Sequence, residues 1–515
     1  MRALSSTTLL SITMLPLALL GAPACGGDGS ADDGSGGTSS GSGGSSPSGG
    51  SSGNGGTSNA PNGGSGGTSG SGGSSPNGGN GGSTASGGTA PSGGTGGTSG
   101  GASGAGGSSA SGGNGGGPDT PILDRAPRLE YDCSLTRPMT SLEVGQWGGG
   151  TLVPADDGAL LAWLGGQNFT LSEVRWSSLD MMGELGTPQT IHSGDEPLGQ
   201  LRISPRGERY TVIWGGDRFA DDPGFRLVEV NASGEPLVEP KELSFLGPNA
   251  TDLQIVATDT GHALVWTSRD TESTNTLNFV LIDEEGNAQG TPRVLAEGSG
   301  YLGASTLVRF GDGFLLLYAH IDYVAEIQDL RIFVLDETGE PVREPVREDG
   351  NVGSFGGFGT ASVIVRGDRA LVAWTEGQGG FELSGRSATI NLRWYDSEGE
   401  PVGELLPLQE PIIDQENVTP HLVDFGDDIG LFWSQGTIIY ICAGCYPDNH
   451  LNFVVLDGED LTPKSDVIEI ESPIDQGLLN PQAVRADDTV LVTASVTHHV
   501  FAEGASATLS CPRLP

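Results

Sequence analysis

"DRALVAWTEG", residues 368–377, is an apolar run that ends in an aromatic residue and opens into a polar loop. The same phrase stands at 158–167 ("GALLAWLGGQ"), 208–217 ("ERYTVIWGGD") and 261–270 ("GHALVWTSRD"). Aligned on the aromatic, the copies give Trp163, Trp214, Trp266, Tyr318, Trp374 and Trp433, and a seventh, "TVLVTASV", places Ala494 at that point. Successive copies are 51 to 61 residues apart. A period near 50 is the length of one four-stranded supersecondary unit and exceeds most helical repeats. Each copy opens with a short strand pattern: "QLRIS", "DLQIVA", "TLVRF", "SVIVR", "HLVDF" and "QAVRA". A tight Gly/Asp turn follows, as hairpins require, then the aromatic run, a polar loop and a third strand such as "RIFVLD" or "NFVVLD". Further turns close the third strands: "NASGEP", "DEEGNA", "DETGEP" and "DSEGEP". No stretch carries a sustained 3.6-residue period, so helices are expected to be nearly absent.

Across residues 119–515 this repeat length and strand order resemble the β-propeller superfamily. The resemblance implies an all-β fold, a seven-bladed β-propeller of four-stranded antiparallel blades, with the aromatic runs as second strands packed between neighbouring blades. Regular recurrence marks the aromatics as core side chains rather than sugar-stacking platforms. The seventh copy ends close to Pro515, while "PRLEYDCSLTRP" precedes the first copy. An N-terminal strand that completes the last blade would remove an open sheet edge. Cys133 lies in that leading piece and Cys511 in the last, so the fold predicts a Cys133–Cys511 clasp, with Cys442–Cys445 as a local pair. "ICAGCYPDNH" has two other readings, redox chemistry or a zinc site with His450, but it lacks the helix of the first and the fourth ligand of the second.

The chain begins with the layout of an export signal: Arg2, an apolar stretch from Leu9 to Leu20, then small residues. Ala22-Pro23-Ala24-Cys25 resembles the lipobox of bacterial lipoproteins, which implies cleavage after residue 24 and lipid on Cys25. "APA" would also serve ordinary signal peptidase, leaving Cys25 a plain thiol. Gly26 rather than Asp after the cysteine resembles the signal for an outer-membrane or cell-surface destination, with a periplasmic-facing position the other possibility. Residues 25–118 are almost wholly Gly, Ser, Thr, Asn and Ala. With so little apolar surface to offset conformational entropy, they are expected to form a disordered linker of roughly 50–60 Å root-mean-square span. The membrane would be met only through the N-terminal lipid.

Net charge is −41, and residues 119–515 keep 62 acids against 23 bases. That balance excludes nucleic acid, which needs phosphate-neutralising Lys and Arg, and it disfavours docking on anionic lipid. In propellers the loops after second strands and before first strands meet on one face. That face would gather Asp217, Arg218, Tyr301, Asp322, Tyr323, Phe355, His421 and His498. Carboxylates, a guanidinium and aromatics suit a glycan or a cationic ligand, while solvated loop residues of an acidic protein are the plainer reading; for His421 the plainer reading is a hydrogen-bonded core position. No sialidase-type Asp-box, HExxH, Gly-x-Ser-x-Gly or regular calcium loop is present. No catalytic set and no cofactor is therefore assigned, a divalent cation being the one candidate ligand ion. The expectation is an exported, monomeric binding or scaffolding lipoprotein with an envelope protein or glycan as partner. The alternative is an extracellular enzyme acting on polysaccharide. Labelling with a lipid precursor is expected to modify the wild type and not Cys25→Ala; equal labelling of both overturns the lipid assignment.

Overall fold

The computed structural model describes residues 120–515 except 145–146, 148, 156–157, 168–169, 217–223, 248, 270–273, 323–326, 350–360, 379–386, 413–414, 437–448, 474–476 and 498–501. Among the described residues there is no α-helix, only two short 3₁₀ turns, Ile122–Asp124 and Ser244–Leu246. None of them forms a helix long and apolar enough to cross a membrane.

The strands run in chain order. β1 (Ser134–Ser141) precedes the repeats. β2 (Gly150–Ala155), β3 (Gly158–Gln167), β4 (Thr170–Asp180) and β5 (Gln189–Ser193) form one antiparallel sheet. β6 (Leu198–Arg206), β7 (Arg209–Gly216), β8 (Arg226–Asn231) and β9 (Lys241–Glu242) form the next. Then come β10 (Ala250–Thr258), β11 (Gly261–Arg269), β12 (Asn275–Asp283) and β13 (Arg293–Gly298). β14 (Tyr301–Phe310), β15 (Gly313–Asp322), β16 (Ile327–Leu335) and β17 (Val346–Asp349) follow. One larger sheet holds β18 (Ala361–Arg366), β19 (Arg369–Gln378), β20 (Ser387–Tyr395) and β21 (Pro401–Pro407). It continues through β22 (Glu416–Phe425), β23 (Asp428–Gly436), β24 (His450–Asp457) and β25 (Ile468–Ile470). β26 (Gly477–Ala486), β27 (Thr489–Thr497) and β28 (Ala502–Ser510) take β1 as their fourth, outermost strand.

The fold is a β-propeller of four-stranded antiparallel blades. The repeat predicts seven separate sheets, whereas the structure has five sheets of four strands and one of eight. The physical cause is local. Chain entering β22 lies against β20, where Ala388 and Glu416 form a parallel pair and the Asn417 amide donates to the Ala388 carbonyl at 3.3 Å.

Inner strands pack side by side in the order β2, β6, β10, β14, β18, β22, β26 and back to β2. Buried apolar side chains fall into clusters that each lie between adjacent groups of strands. The repeated aromatics are distributed one to a cluster: Trp163, Trp214, Trp266, Tyr318, Trp374 and Trp433, all at most 2% exposed. Burying a tryptophan contributes about 4–6 kcal/mol at 25 cal/mol per Å² of apolar area. Ala494 leaves a smaller knob in its cluster, and Phe425, Phe432 and Phe453 fill that space, with two of their rings 4.4 Å apart.

The ring closes through its N-terminus. β1 runs antiparallel to β28 with Ser134 opposite Ser510, and Cys133 is disulfide-bonded to Cys511 as the sequence predicts. Ahead of it, residues 120–132 form a strap across two neighbouring groups of strands. The Leu123 amide donates to the Leu408 carbonyl at 2.9 Å, and Ile122 is fully buried. Farther along, the Arg128 amide donates to Pro463 and those of Glu130 and Tyr131 donate to Lys464. The Tyr131 hydroxyl donates to Asp428 at 2.8 Å, and Lys464 Nζ reaches the other oxygen of that carboxylate at 2.8 Å. Burial together with the Asp428 bond pushes the Tyr131 phenol up to about 12.

Third strands end in the same turn six times. Asp180, Asn231, Asp283, Asp336, Asp396 and Asp457 each cap it with Oδ1, accepting backbone N–H groups two to four residues on. In five of them a glycine takes the left-handed position, as Gly339 does at φ +80°. These turns also touch the preceding blade: a Cβ on Gly339 would lie 2.0 Å from the Phe279 ring. Gly311, at φ +56° in a β14–β15 hairpin turn, would meet nothing within 4 Å. Gly311→Ala is therefore expected to destabilise by about 1 kcal/mol and Gly339→Ala by roughly 3 kcal/mol, measured by denaturant unfolding. Equal losses would show that the Phe279 contact does not matter.

Candidate functional site

One position of the inner strands is polar all round the axis. Reading across the sheets it is Thr151, Arg202, Gln254, Thr306, Ser362, His421 and Gln482, and every one is buried. Buried there, each side chain must find its partners within the protein. Arg202, Thr306, Ser362, His421 and Gln482 find them on the next blade's inner strand. Arg202 Nε donates to the Leu253 carbonyl at 2.6 Å, and the Thr306 hydroxyl to Ala361 at 3.0 Å. Ser362 Oγ accepts the Leu422 amide at 2.9 Å, and His421 Nε2 accepts the Ala483 amide at 2.9 Å. Gln482 does both, accepting from Leu152 at 2.7 Å and donating to Gly150 at 2.8 Å. These bonds do between blades what a ladder does within a sheet.

Two residues earlier, toward the end where the strands are entered, the same strands bulge. Asp252, Thr419 and Asn480 all have φ near +54°, a left-handed conformation unusual for such residues, and Gly149 at the matching place has φ +105°. Each of the three non-glycine positions coincides with a register shift against the second strand. A bulge bends the strand and re-aims its side chains, a device found at barrel rims and beside binding sites. Here Asp252 Oδ2 accepts the Tyr301 hydroxyl at 3.0 Å, and Thr419 shares a 2.9 Å bond with Ser434. The Asn480 amide reaches Thr419 at 3.4 Å from the next blade. Burial lowers the Arg202 guanidinium to about 9 against the opposing pull of Asp252. Polar groups of several blades thus converge at the axial end of the bulges.

The sequence-predicted residues distribute unevenly over this site. Tyr301 and Asp322 stand on adjacent strand ends of one sheet, where Tyr301 pairs with Ile321. Tyr301 joins the bulge rim through Asp252. His421 belongs to the buried polar ring and not to the exposed mouth. Asp217, Arg218, Tyr323, Phe355, His498, Cys442, Cys445 and Cys25 lie outside the described residues. Among the described residues no group of three His, Cys, Asp or Glu side chains could hold a metal ion. Sequence reasoning missed Arg202, Asp252, Thr419 and Asn480. For Arg202 the readable signal was the polar letter in every first-strand pattern; the three bulge residues carried none.

Further out, near the loop end of β19, Glu376 accepts a hydrogen bond from Asn391. Burial and the nearby Glu348 raise the Glu376 carboxyl above the ordinary range, although the Asn391 bond opposes them. Glu348 accepts the Tyr395 hydroxyl at 2.7 Å and pairs with Arg393 at 3.2 Å. A carboxyl raised above its ordinary range near a second, ion-paired carboxyl is an arrangement also found in acid–base chemistry.

No family model and no curated protein matches this chain. Among solved structures it is similar to the polysaccharide lyase Uly1 at 11% identity, over 73% of this chain and 91% of that one, with a TM-score of 0.43. It is also similar to the β-propeller domain of the Trilobed protease from Pyrococcus furiosus at 15% identity, over 57% and 77% of the two chains, with a TM-score of 0.33. A Trypanosoma rangeli sialidase in complex with the inhibitor DANA aligns at 8% identity, over 73% and 59%, with a TM-score of 0.35. Similarity this low carries no argument about activity.

Burial lowers His421 and His262 to about 4. For His262 the Arg206 guanidinium adds to the effect and Glu284 opposes it, while for His421 the Ala483 backbone opposes it. An unfolded histidine takes up its proton near 6.5, so between about 6.5 and 4 the unfolded chain binds more protons. The stability from each neutral ring is complete above 6.5, falls as pH drops through that window and levels off below it, at up to ~1.4 kcal/mol per pH unit. Gln stands at the same ring position in Gln254 and Gln482 and can accept the same amide. His421→Gln is expected to keep the fold and flatten the acid slope of unfolding stability; an unchanged slope would exclude His421 as its source.

Proposed function

We propose that this protein is a cell-envelope lipoprotein whose propeller binds a glycan or protein ligand at the axial end of its bulged inner strands. The supporting observation is the repeated left-handed bulge at Asp252, Thr419 and Asn480, a backbone cost of roughly 1 kcal/mol or more at each site. We count the eight-stranded sheet as two blades joined by one parallel pair, which makes the propeller seven-bladed. In this reading residues 1–24 are a signal peptide, 25–118 a lipid-anchored linker and 119–515 the binding domain. The disulfide agrees with an extracellular or periplasmic setting, where such bonds persist. Tyr301, Asp252, Thr419 and Asn480 offer hydroxyl, carboxylate and amide groups, the chemistry that engages sugar hydroxyls or peptide amides. Asp322, at the strand end beside Tyr301, belongs to the same end in this reading, and a divalent cation is a candidate co-ligand.

A second reading, an enzyme acting on polysaccharide, is favoured by Glu376 and Glu348. A thermal-shift screen of the mature protein against neutral and acidic oligosaccharides, divalent cations and chelator tests both, since a ligand bound only by the folded state raises the midpoint. A saturable shift with one sugar, lost in Asp252→Asn or Thr419→Ala, is expected for the binding reading. Cleavage of that sugar, abolished in Glu376→Gln with the shift retained, would establish the enzyme instead. No shift with any sugar or cation directs the proposal to a protein partner.

A further inference from the structure

The strap and the disulfide follow one another along the chain from residue 120, and their order has a mechanical consequence. Residues 130–132 and 511–514 continue the β1–β28 ladder past its last rung. The Asp132 amide donates to Pro512 at 3.1 Å, the Leu514 amide donates to Glu130 at 2.7 Å, and Tyr131 faces Arg513. Cys133–Cys511 then ties the two strands directly before their first strand pair, Ser134 with Ser510. Tension applied ahead of residue 120 therefore meets three elements in series. Ile122 and the Leu408 bond come first, then the Arg128, Glu130 and Tyr131 bonds to the Pro463–Lys464 segment, and last the disulfide.

Without the covalent link, pulling on Ser134 would open β1 from β28 one hydrogen-bonded rung at a time, because the two strands are antiparallel and the load enters at one end. With the link, the same load reaches Ser134 and Ser510 together. The rungs between them are no longer pulled apart, and the sheet must yield as a unit.

We propose that residues 120–132 and the Cys133–Cys511 bond form the load-bearing attachment of the domain, converting tension on the N-terminal linker from rung-by-rung opening into a collective load on the last blade. This rests on the reading that residues 25–118 join the domain to an anchor, but its physics does not depend on lipid. The strap is the part that yields first: Arg128, Glu130 and Arg513 are exposed enough for their ion pairs to exchange with water. The disulfide sets where yielding stops.

The test is a single-molecule pull on the mature full-length chain. One handle is placed at the N-terminus and the other on an azide-bearing residue replacing Asp312, an exposed hairpin-turn position on another blade. The oxidised protein is expected to release the strap, roughly 45 Å of chain, and then hold. In the Cys133→Ser/Cys511→Ser variant, opening is expected to run past the strap through β1 at a force at least about twofold lower than that which breaks the oxidised domain. Reducing the folded wild type in the instrument gives the same comparison if the double variant fails to fold. Equal force and extension in the two states overturn the proposal, as does an oxidised domain that unfolds before the strap is released. Failure of lipid labelling on Cys25 would remove the anchor while leaving this result intact.

Discussion

The structure depends on filling the wedge between adjacent blades. Strands of one sheet satisfy their own backbone groups, but a sheet of four strands leaves two broad faces and cannot bury them alone. Six of the seven repeats answer with one large aromatic on the second strand, aimed into the cluster shared with the preceding blade. Apolar burial is non-directional, so it holds the blades together without fixing their register. The buried polar ring supplies that register, since Arg202, Thr306, Ser362, His421 and Gln482 each bond a specific amide or carbonyl of the next inner strand. Wedge and ring act on the same interface, one through area and the other through direction.

Closure follows from the same constraint. A ring of blades has one seam, and an unfilled seam exposes a sheet edge. Here the N-terminal strand fills the outer place of the last sheet, so residues more than 370 positions apart become neighbours. The chain-entropy model gives such a long loop roughly 6 kcal/mol of disulfide stabilisation. Around the bond lie a buried Tyr131–Asp428–Lys464 group and an ion pair between Arg513 and Glu130. Lys464, one of only two lysines in the chain, is placed where three carboxylates converge: Asp428, Asp457 and Glu130. Those partners raise its pKa although burial opposes them.

The channel end of the inner strands is built differently from the rest. Along most of each strand the alternation of side chains suits the pleat, and the backbone stays extended. At Asp252, Thr419 and Asn480 it turns left-handed, and the register against the second strand shifts. The shift brings polar groups of different blades into contact, as where the Asn480 backbone N–H donates to the Thr419 hydroxyl.

The all-β class, the repeat, the core aromatics, the turn positions and the Cys133–Cys511 pairing were legible because each depends on local patterning or on a simple rule of ring closure. Trp374 announces its burial by its place in "ALVAW", and Asp336 announces its turn by the Gly three residues on. Arg202 and His421 carried a signal too, the polar letter inside every first strand, but no local rule says that such a letter faces a neighbouring blade instead of solvent. The merging of two strand groups through Ala388 and Glu416 had no signal, because one parallel pair depends on how the β21–β22 connection lies against β20. Nor did the bulges, since Asp, Thr and Asn are common in extended chain and only the pull of two strands out of step forces them left-handed. Sequence by itself determined what each segment is, because burial and turn chemistry act within a few residues. Tertiary structure alone decided which polar groups meet at the axis, because those meetings join residues some fifty positions apart whose distance is set by the packing of whole sheets.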